Sequence, residues 1–208
     1  MTDGTFRHAL SLGRPLLLDG GMGTMLQASG LPAGMCPEQY CMESPQVLRG
    51  IHNAYLDAGT DLLTTCTFGG NPFKLPKNLD VFVFNRLMTE VAREAARDAG
   101  RPVFVAGNVG PSGQFARPLG PVDPRDLIAA FAAQIRGLVA GGADLIFVET
   151  QFDLAEARAA VVAARQECDL PVMVSMTFEQ GVSLTGSSPA IFAETMQNLG
   201  VDVVGTNC

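Results

Sequence analysis

Three side chains stand where strand ends would deliver chemistry. Cys208 closes the stretch Val201-Asp-Val-Val-Gly-Thr-Asn-Cys208, which reads as a buried parallel strand ending in a thiol. A thiolate is both a nucleophile and a soft metal ligand, yet a closed zinc site needs three or four such donors. Glu149 follows the apolar run of Phe147 and Val148. A carboxylate there is costly to bury unless it enters a polar pocket, binds a cation or pairs with an arginine from a loop, and the pocket is the favoured reading. Asp19 opens Asp19-Gly20-Gly21-Met22-Gly23-Thr24. Glycine amides can hold an anion such as a carboxylate while Asp19 accepts from an ammonium. A tight turn with Asp19 as a cap fits the same residues.

Two further strand ends carry hydroxyls, amides and glycines, in Thr65-Cys-Thr-Phe-Gly-Gly-Asn71 and Gly107-Asn-Val-Gly-Pro-Ser-Gly113. They suit hydrogen bonding to a small polar molecule, as many strand-to-loop turns would. Cys66 reads as a small core residue. His52 falls in mid-helix, away from these ends, and reads as structural; His8 lies in the N-terminal lead. Cys36 and Cys41 lack the CxxC spacing and receive no metal role. The residues assemble no Ser/His/Asp or Cys/His constellation.

The elements that would position these groups repeat along the chain. A helix ends in Gly and four or five apolar residues follow, at Gly59, Gly100, Gly142 and Gly200, with Asp169-Leu-Pro-Val-Met-Val as a glycine-free variant. With Leu16-Leu-Leu-Asp19 this predicts six short strands, apolar on both faces as in a parallel sheet. Between them, Ser44-Pro45, Asp123-Pro124 and Ser188-Pro189 each pair an N-cap with proline at the first helical position. Apolar stripes follow at helical spacing: Val47, Ile51, Tyr55 and Ala58; Leu127, Phe131, Ile135 and Leu138; Phe192, Met196 and Leu199. Glu90, Arg93, Glu94 and Arg97 read as a solvated face.

Helix-to-strand turns are short, whereas Gly20 to Glu43, Thr67 to Phe82, Asn108 to Val122 and Thr177 to Ser187 read as long loops. In repeated β/α folds such loops build the active site. No glycine-rich phosphate fingerprint leads from a strand into a helix, and polar residues or glycine end nearly every strand, so a parallel (β/α)8 TIM-type barrel is favoured over an open doubly wound sheet. Only about six β/α units are present, where a barrel usually takes about 250 residues. The expectation is one barrel domain over 1–208, truncated or open.

Composition narrows the function. The chain has 208 residues, 47% of them hydrophobic, and a net charge of -7. Without clustered Lys and Arg, a nucleic-acid partner is not expected. No apolar stretch approaches the roughly 20 residues of a membrane span. The lead from Met1 to Arg14 lacks a signal-peptide core. Five irregularly spaced cysteines fit reduced thiols, so the expectation is a cytoplasmic protein.

Taken in order, Leu18-Asp-Gly-Gly-Met-Gly-Thr-Met25, Ile51-His-Asn-Ala-Tyr-Leu-Asp-Ala-Gly59, the blocks at 65–71 and 107–113, Val148-Glu-Thr150, Val174-Ser-Met-Thr-Phe178 and Gly205-Thr-Asn-Cys208 resemble the homocysteine S-methyltransferase family. The blocks are most similar to its cobalamin-dependent branch, rather than the betaine- or S-methylmethionine-dependent ones. The resemblance implies a (β/α)8 barrel with zinc held by three cysteines. Cys208 matches the first ligand, and the adjacent Cys-Cys pair that supplies the others is absent from this sequence. It further implies that Asp19, Gly20, Gly21 and Met22, with Glu149, hold the amino acid end of homocysteine, and that Thr67 and Asn108 stand in the pocket wall. The implied donor is methylcobalamin carried by another domain, with corrinoid- and folate-binding domains or subunits as partners and methionine as product. Two alternatives keep their place: a non-catalytic barrel fragment or homologue binding an amino acid without zinc, and an open-sheet enzyme for a nucleotide or phosphorylated ligand. Unpaired sheet edges would invite a homo-oligomer.

Overall fold

The computed structural model describes residues 5–208. In chain order the elements are α1 (Phe6–Ser11), α2 (Met22–Ala28), α3 (Pro37–Glu43), α4 (Pro45–Asp57), β1 (Leu62–Thr64), α5 (Val81–Asp98), β2 (Phe104–Val109), α6 (Pro124–Ala140), β3 (Leu145–Gln151), α7 (Leu154–Glu167), β4 (Val172–Met176), α8 (Pro189–Asn198) and β5 (Val203–Thr206). All strand pairs are parallel and the order is β1-β2-β3-β4-β5. The order never reverses, so this is the singly wound sense of a barrel and not the doubly wound alternative.

Five strands replace the expected six. Leu16 to Asp19 contributes one parallel bridge, Leu18 to Leu62, with the Asp19 amide donating to the Leu62 carbonyl at 3.0 Å. That segment lies along the outer edge of β1 without reaching strand length. At the other edge β5 departs from the expected burial on both faces: its Val204, Gly205 and Thr206 are exposed.

The pleat sorts each strand's residues to two sides. Leu62, Ala106, Leu145, Phe147 and Met173 form an inner cluster with Phe6, while Val109, Ile146, Val148, Val172 and Val174 face the helices. Phe6 was passed over as part of the N-terminal lead; it is buried, and its ring meets Phe104 edge-on at 5.6 Å between centroids. The lead's first four residues lie outside the described ones. Arg7 reaches across to Asp202 beside β5, with Nε to Oδ1 at 2.6 Å.

Helical stripes set the outer layer. Leu127, Phe131, Ile135 and Leu138 are fully buried, and each contributes about 2 kcal/mol of apolar burial. On α4 the buried face is Leu48, Ile51, His52 and Leu56, with Tyr55 at its margin. That is turned from the expected stripe, and Ala58 is exposed. Asp123 and Ser188 cap their helices by accepting from Arg125 N and Ile191 N, whereas Ser44, which also ends α3, makes no side-chain cap bond. Gly59, Gly100, Gly142 and Gly200 all take positive φ as helix ends. Of the α5 charges expected to be solvated, Arg93 instead binds the Gly142 carbonyl and Asp144.

Candidate active site

The segment expected as a loop from Gly20 to Glu43 contains α2 and α3, and with the ends of β1, β2 and β3 it encloses a cavity of about 490 Å³. Asp19, Gly20, Gly21, Met22, Asn108, Glu149 and Cys208 all line it. Thr67 does not: it is fully buried behind the wall, donating to the Asn108 carbonyl at 2.7 Å and sharing a hydrogen bond with the Thr65 hydroxyl. Its position as wall residue is therefore corrected to a support. The lining also includes Glu38, Thr64, Cys66, Phe68 and Phe147, which sequence reasoning missed as site residues.

Strand alternation explains why Glu149 points inward. It stands two and four residues beyond Phe147 and Leu145, both members of the inner cluster. Its Oε2 accepts from Asn108 Nδ2 at 2.8 Å, and among the described residues no arginine pairs with it. Burial raises the Glu149 pKa, opposed by the Asn108 bond. Glu149 lies within β3 and not at its end, and the register with β4 shifts between Val148 and Gln151. In that bulge Thr150 takes φ 57°, a left-handed conformation that costs a β-branched residue about 1–3 kcal/mol. Thr150 N donates to Ser175 Oγ, and Thr150 Oγ1 accepts from Asn207 Nδ2 at 2.7 Å. The strain is thus held by contacts to β4 and to the residue beside Cys208.

Asp19 accepts two bonds from Thr64, from its amide at 2.8 Å and its hydroxyl at 2.9 Å. Burial nevertheless lifts its carboxyl to about 7, with the Glu149 charge adding to the rise and the Thr64 bonds opposing it. Glu38 accepts from the Gly69 amide at 2.9 Å and from the Cys36 thiol at 2.9 Å. A Cβ at residue 69 would collide with that carboxylate. The lining therefore holds three carboxylates and neither lysine nor arginine, a surface complementary to an ammonium group.

Behind the wall, fully buried Gln134 of α6 donates to the Thr67 carbonyl at 2.7 Å and the Asn108 carbonyl at 3.2 Å. Its sequence signal was a glutamine on the apolar face of α6, between Phe131 and Ile135. Asn108 Oδ1 has no partner and is buried, leaving an acceptor to be satisfied at the cavity.

Cys208 is exposed, and its sulfur accepts from Asn207 Nδ2 at 3.3 Å. Among the described residues no group of three His, Cys, Asp or Glu could hold a metal ion. One thiol does not fit a three-thiolate zinc centre, so these residues by themselves do not make one. No described helix is long and apolar enough to cross a membrane.

A family model described as homocysteine S-methyltransferase matches residues 16–208. Methionine synthases of Mycobacterium tuberculosis and Mycobacterium leprae are each 34% identical over 216 residues, covering 94% of this chain and 18% of theirs. The chain thus spans less than a fifth of those relatives' length. Among solved structures, the oxidized and metallated forms of the homocysteine methyltransferase MmuM from Escherichia coli match with TM-scores of 0.84 and 0.81 at 22% identity, over 97% and 96% of this chain and 77% of theirs. That likeness shows a shared fold. With the family model running from the segment beside β1 to the thiol beyond β5, the chain belongs to the homocysteine S-methyltransferase family.

Proposed function

We propose that this chain binds homocysteine for methyl transfer to its thiol, giving methionine, as the amino-acid-binding part of a methionine synthase. One observation carries the reading: Asp19, Glu149 and Cys208, brought from three separate segments of the chain, line a single cavity. Asp19, Glu149 and the free Asn108 Oδ1 receive the ammonium. The amides after Gly20, at the N-terminus of α2 where no side chain caps the helix, receive the carboxylate. The substrate sulfur then lies toward Cys208 and the open mouth.

The resemblance of the sequence blocks to the cobalamin-dependent branch, together with methionine synthase relatives more than five times this chain's span, supports methylcobalamin carried on another domain as donor, with corrinoid- and folate-binding domains as partners. Zinc is proposed as cofactor on the strength of the family and of the metallated MmuM, with Cys208 as one ligand. Cys66 also lines the cavity but is buried against Cys41, and among the described residues no three His, Cys, Asp or Glu gather to complete the centre. That incomplete ligand set favours a second reading for the isolated chain, amino acid binding without zinc.

Calorimetry with homocysteine and methionine, each with and without zinc, tests both readings. An ammonium entering the cavity pulls the Asp19 proton off, so homocysteine affinity should rise as pH passes upward through about 7 and then level. Asp19→Asn should weaken binding by about 30-fold, the worth of a charge-assisted bond near 2 kcal/mol, and flatten that pH dependence. Binding unchanged by both Asp19→Asn and Glu149→Gln would sink the proposal. Zinc-independent binding of equal strength would favour the second reading.

A further inference from the structure

Cys41 of α3 and Cys66, two residues beyond β1, bring their sulfurs to 3.4 Å across 25 residues of sequence. Both are free thiols, and Cys41 sits on the helix that carries Glu38. Leu26, Leu48, Leu75, Phe84 and Met88 belong to the same buried cluster. Of the two thiols, Cys66 is in the cavity lining. A disulfide needs its sulfurs at about 2.05 Å, so the pair has roughly 1.4 Å to close.

We propose that Cys41 and Cys66 form a two-electron redox site opening into the cavity, where they exchange with small disulfides bearing ammonium groups. The chemical class follows from the lining. A reagent reaching Cys66 passes Asp19, Glu38 and Glu149, which attract a cationic disulfide and repel an anionic one. The site is independent of the methyltransfer reading, since it requires only the cavity and the thiol pair.

The exchange balances in two displacements. Cys66 sulfur gives up its proton and attacks one sulfur of the bound disulfide; that S–S bond breaks, and the leaving half takes up the proton. Cys41 sulfur then attacks Cys66 sulfur in the mixed disulfide, forming the Cys41–Cys66 bond. The second half leaves with the proton from Cys41. The protein dithiol is oxidised by two electrons and the small disulfide is reduced to two thiols. The hydrogen bond with Cys41, together with burial, holds the Cys66 thiol well above its ordinary pKa. The pair therefore stays protonated and slow toward reagents in bulk solvent, while an ammonium held beside Cys66 favours the thiolate.

The test incubates the reduced full chain with cystamine, hydroxyethyl disulfide or oxidised glutathione at equal concentration. The products are trapped with acid, alkylated after unfolding, and mapped by peptide mass. The expected product is a peptide linked through Cys41 and Cys66, reversed by dithiothreitol, with a rate relative to a free model thiol about tenfold higher for cystamine than for oxidised glutathione. Cys41→Ala should instead retain half of the disulfide on Cys66. The proposal is overturned if Cys41 and Cys66 are both recovered alkylated while Cys36, Cys168 or Cys208 has reacted. Relative rates equal for the three disulfides would overturn the route through the cavity. Homocysteine binding is read separately by calorimetry, so failure here leaves that reading intact.

Discussion

His52 and Asp19 pull stability in opposite directions on acidification. His52 is fully buried, neither ring nitrogen has a hydrogen-bond partner, and burial lowers its pKa to about 4. Its folded pKa lies below the unfolded value, so the stability it contributes is present above about 6.5 and is lost as pH falls toward 4, to the extent of about 3 kcal/mol. Asp19 has a folded pKa raised to about 7. It stabilises the fold at low pH and loses that contribution as pH rises through 7. Urea unfolding of Asp19→Asn should therefore show a steeper loss between pH 6.5 and 4 than the parent chain, and a parallel pair of profiles would contradict the assignment. At this scale the sequence was informative where a charge interrupts an apolar run: Glu149 reads as facing a polar pocket because an unpaired carboxylate is costly to bury. It was silent on the Cys41–Cys66 contact, since no local period links two cysteines across an intervening helix and strand. Thr67 illustrates the opposite limit, a residue of a motif that reaches the cavity whose own side chain turns behind the wall.

The helix caps separate into bonded and unbonded ones, and this decides which serines matter. Ser188→Ala and Asp123→Ala should each cost about 1 kcal/mol, because each side chain satisfies a first-turn amide. Ser44→Ala should cost little, because its hydroxyl caps nothing. Urea midpoints of the three variants give the ranking directly, and an equal loss at Ser44 would refute it. From sequence, an N-cap residue followed by proline signalled all three starts alike; which side chain bonds depends on the entering backbone, and Ser44 arrives from α3 with ψ 59°. The seven-residue helices α2 and α3 were read as loop because fewer than two full turns display no recognisable stripe. Leu16 to Asp19 was read as a strand on its apolar run, yet only Leu18 pairs, leaving Leu17 exposed.

The whole sheet is curled but unclosed. Leu18 and Asp19 at one rim share a cavity with Val203, Gly205 and Thr206 at the other, where Val204 is 43% exposed. The parallel β/α repeat was legible in the Gly-to-apolar junctions, whereas the number of pairing strands and the bareness of β5 were not, since neighbours and not composition decide them. An open parallel edge offers unpaired amides and carbonyls to another chain. The described chain should therefore self-associate at micromolar concentration in sedimentation, and Val204→Lys should shift it toward monomer. A monomer that Val204→Lys leaves unchanged would show that the rim is already protected.

The clasp between Arg7 and Asp202, 195 positions apart, bears on how the polypeptide is born. A ribosome feeds out Phe6 and Arg7 long before the acidic partner of that arginine. The socket of the aromatic ring is itself drawn from Leu62, Phe104, Leu145 and Met173, so it too is assembled piecemeal behind the emerging ring. The unit is thus clasped only once Asp202 has emerged, and the stretch of elongation between the two is when a chaperone would find the most to hold.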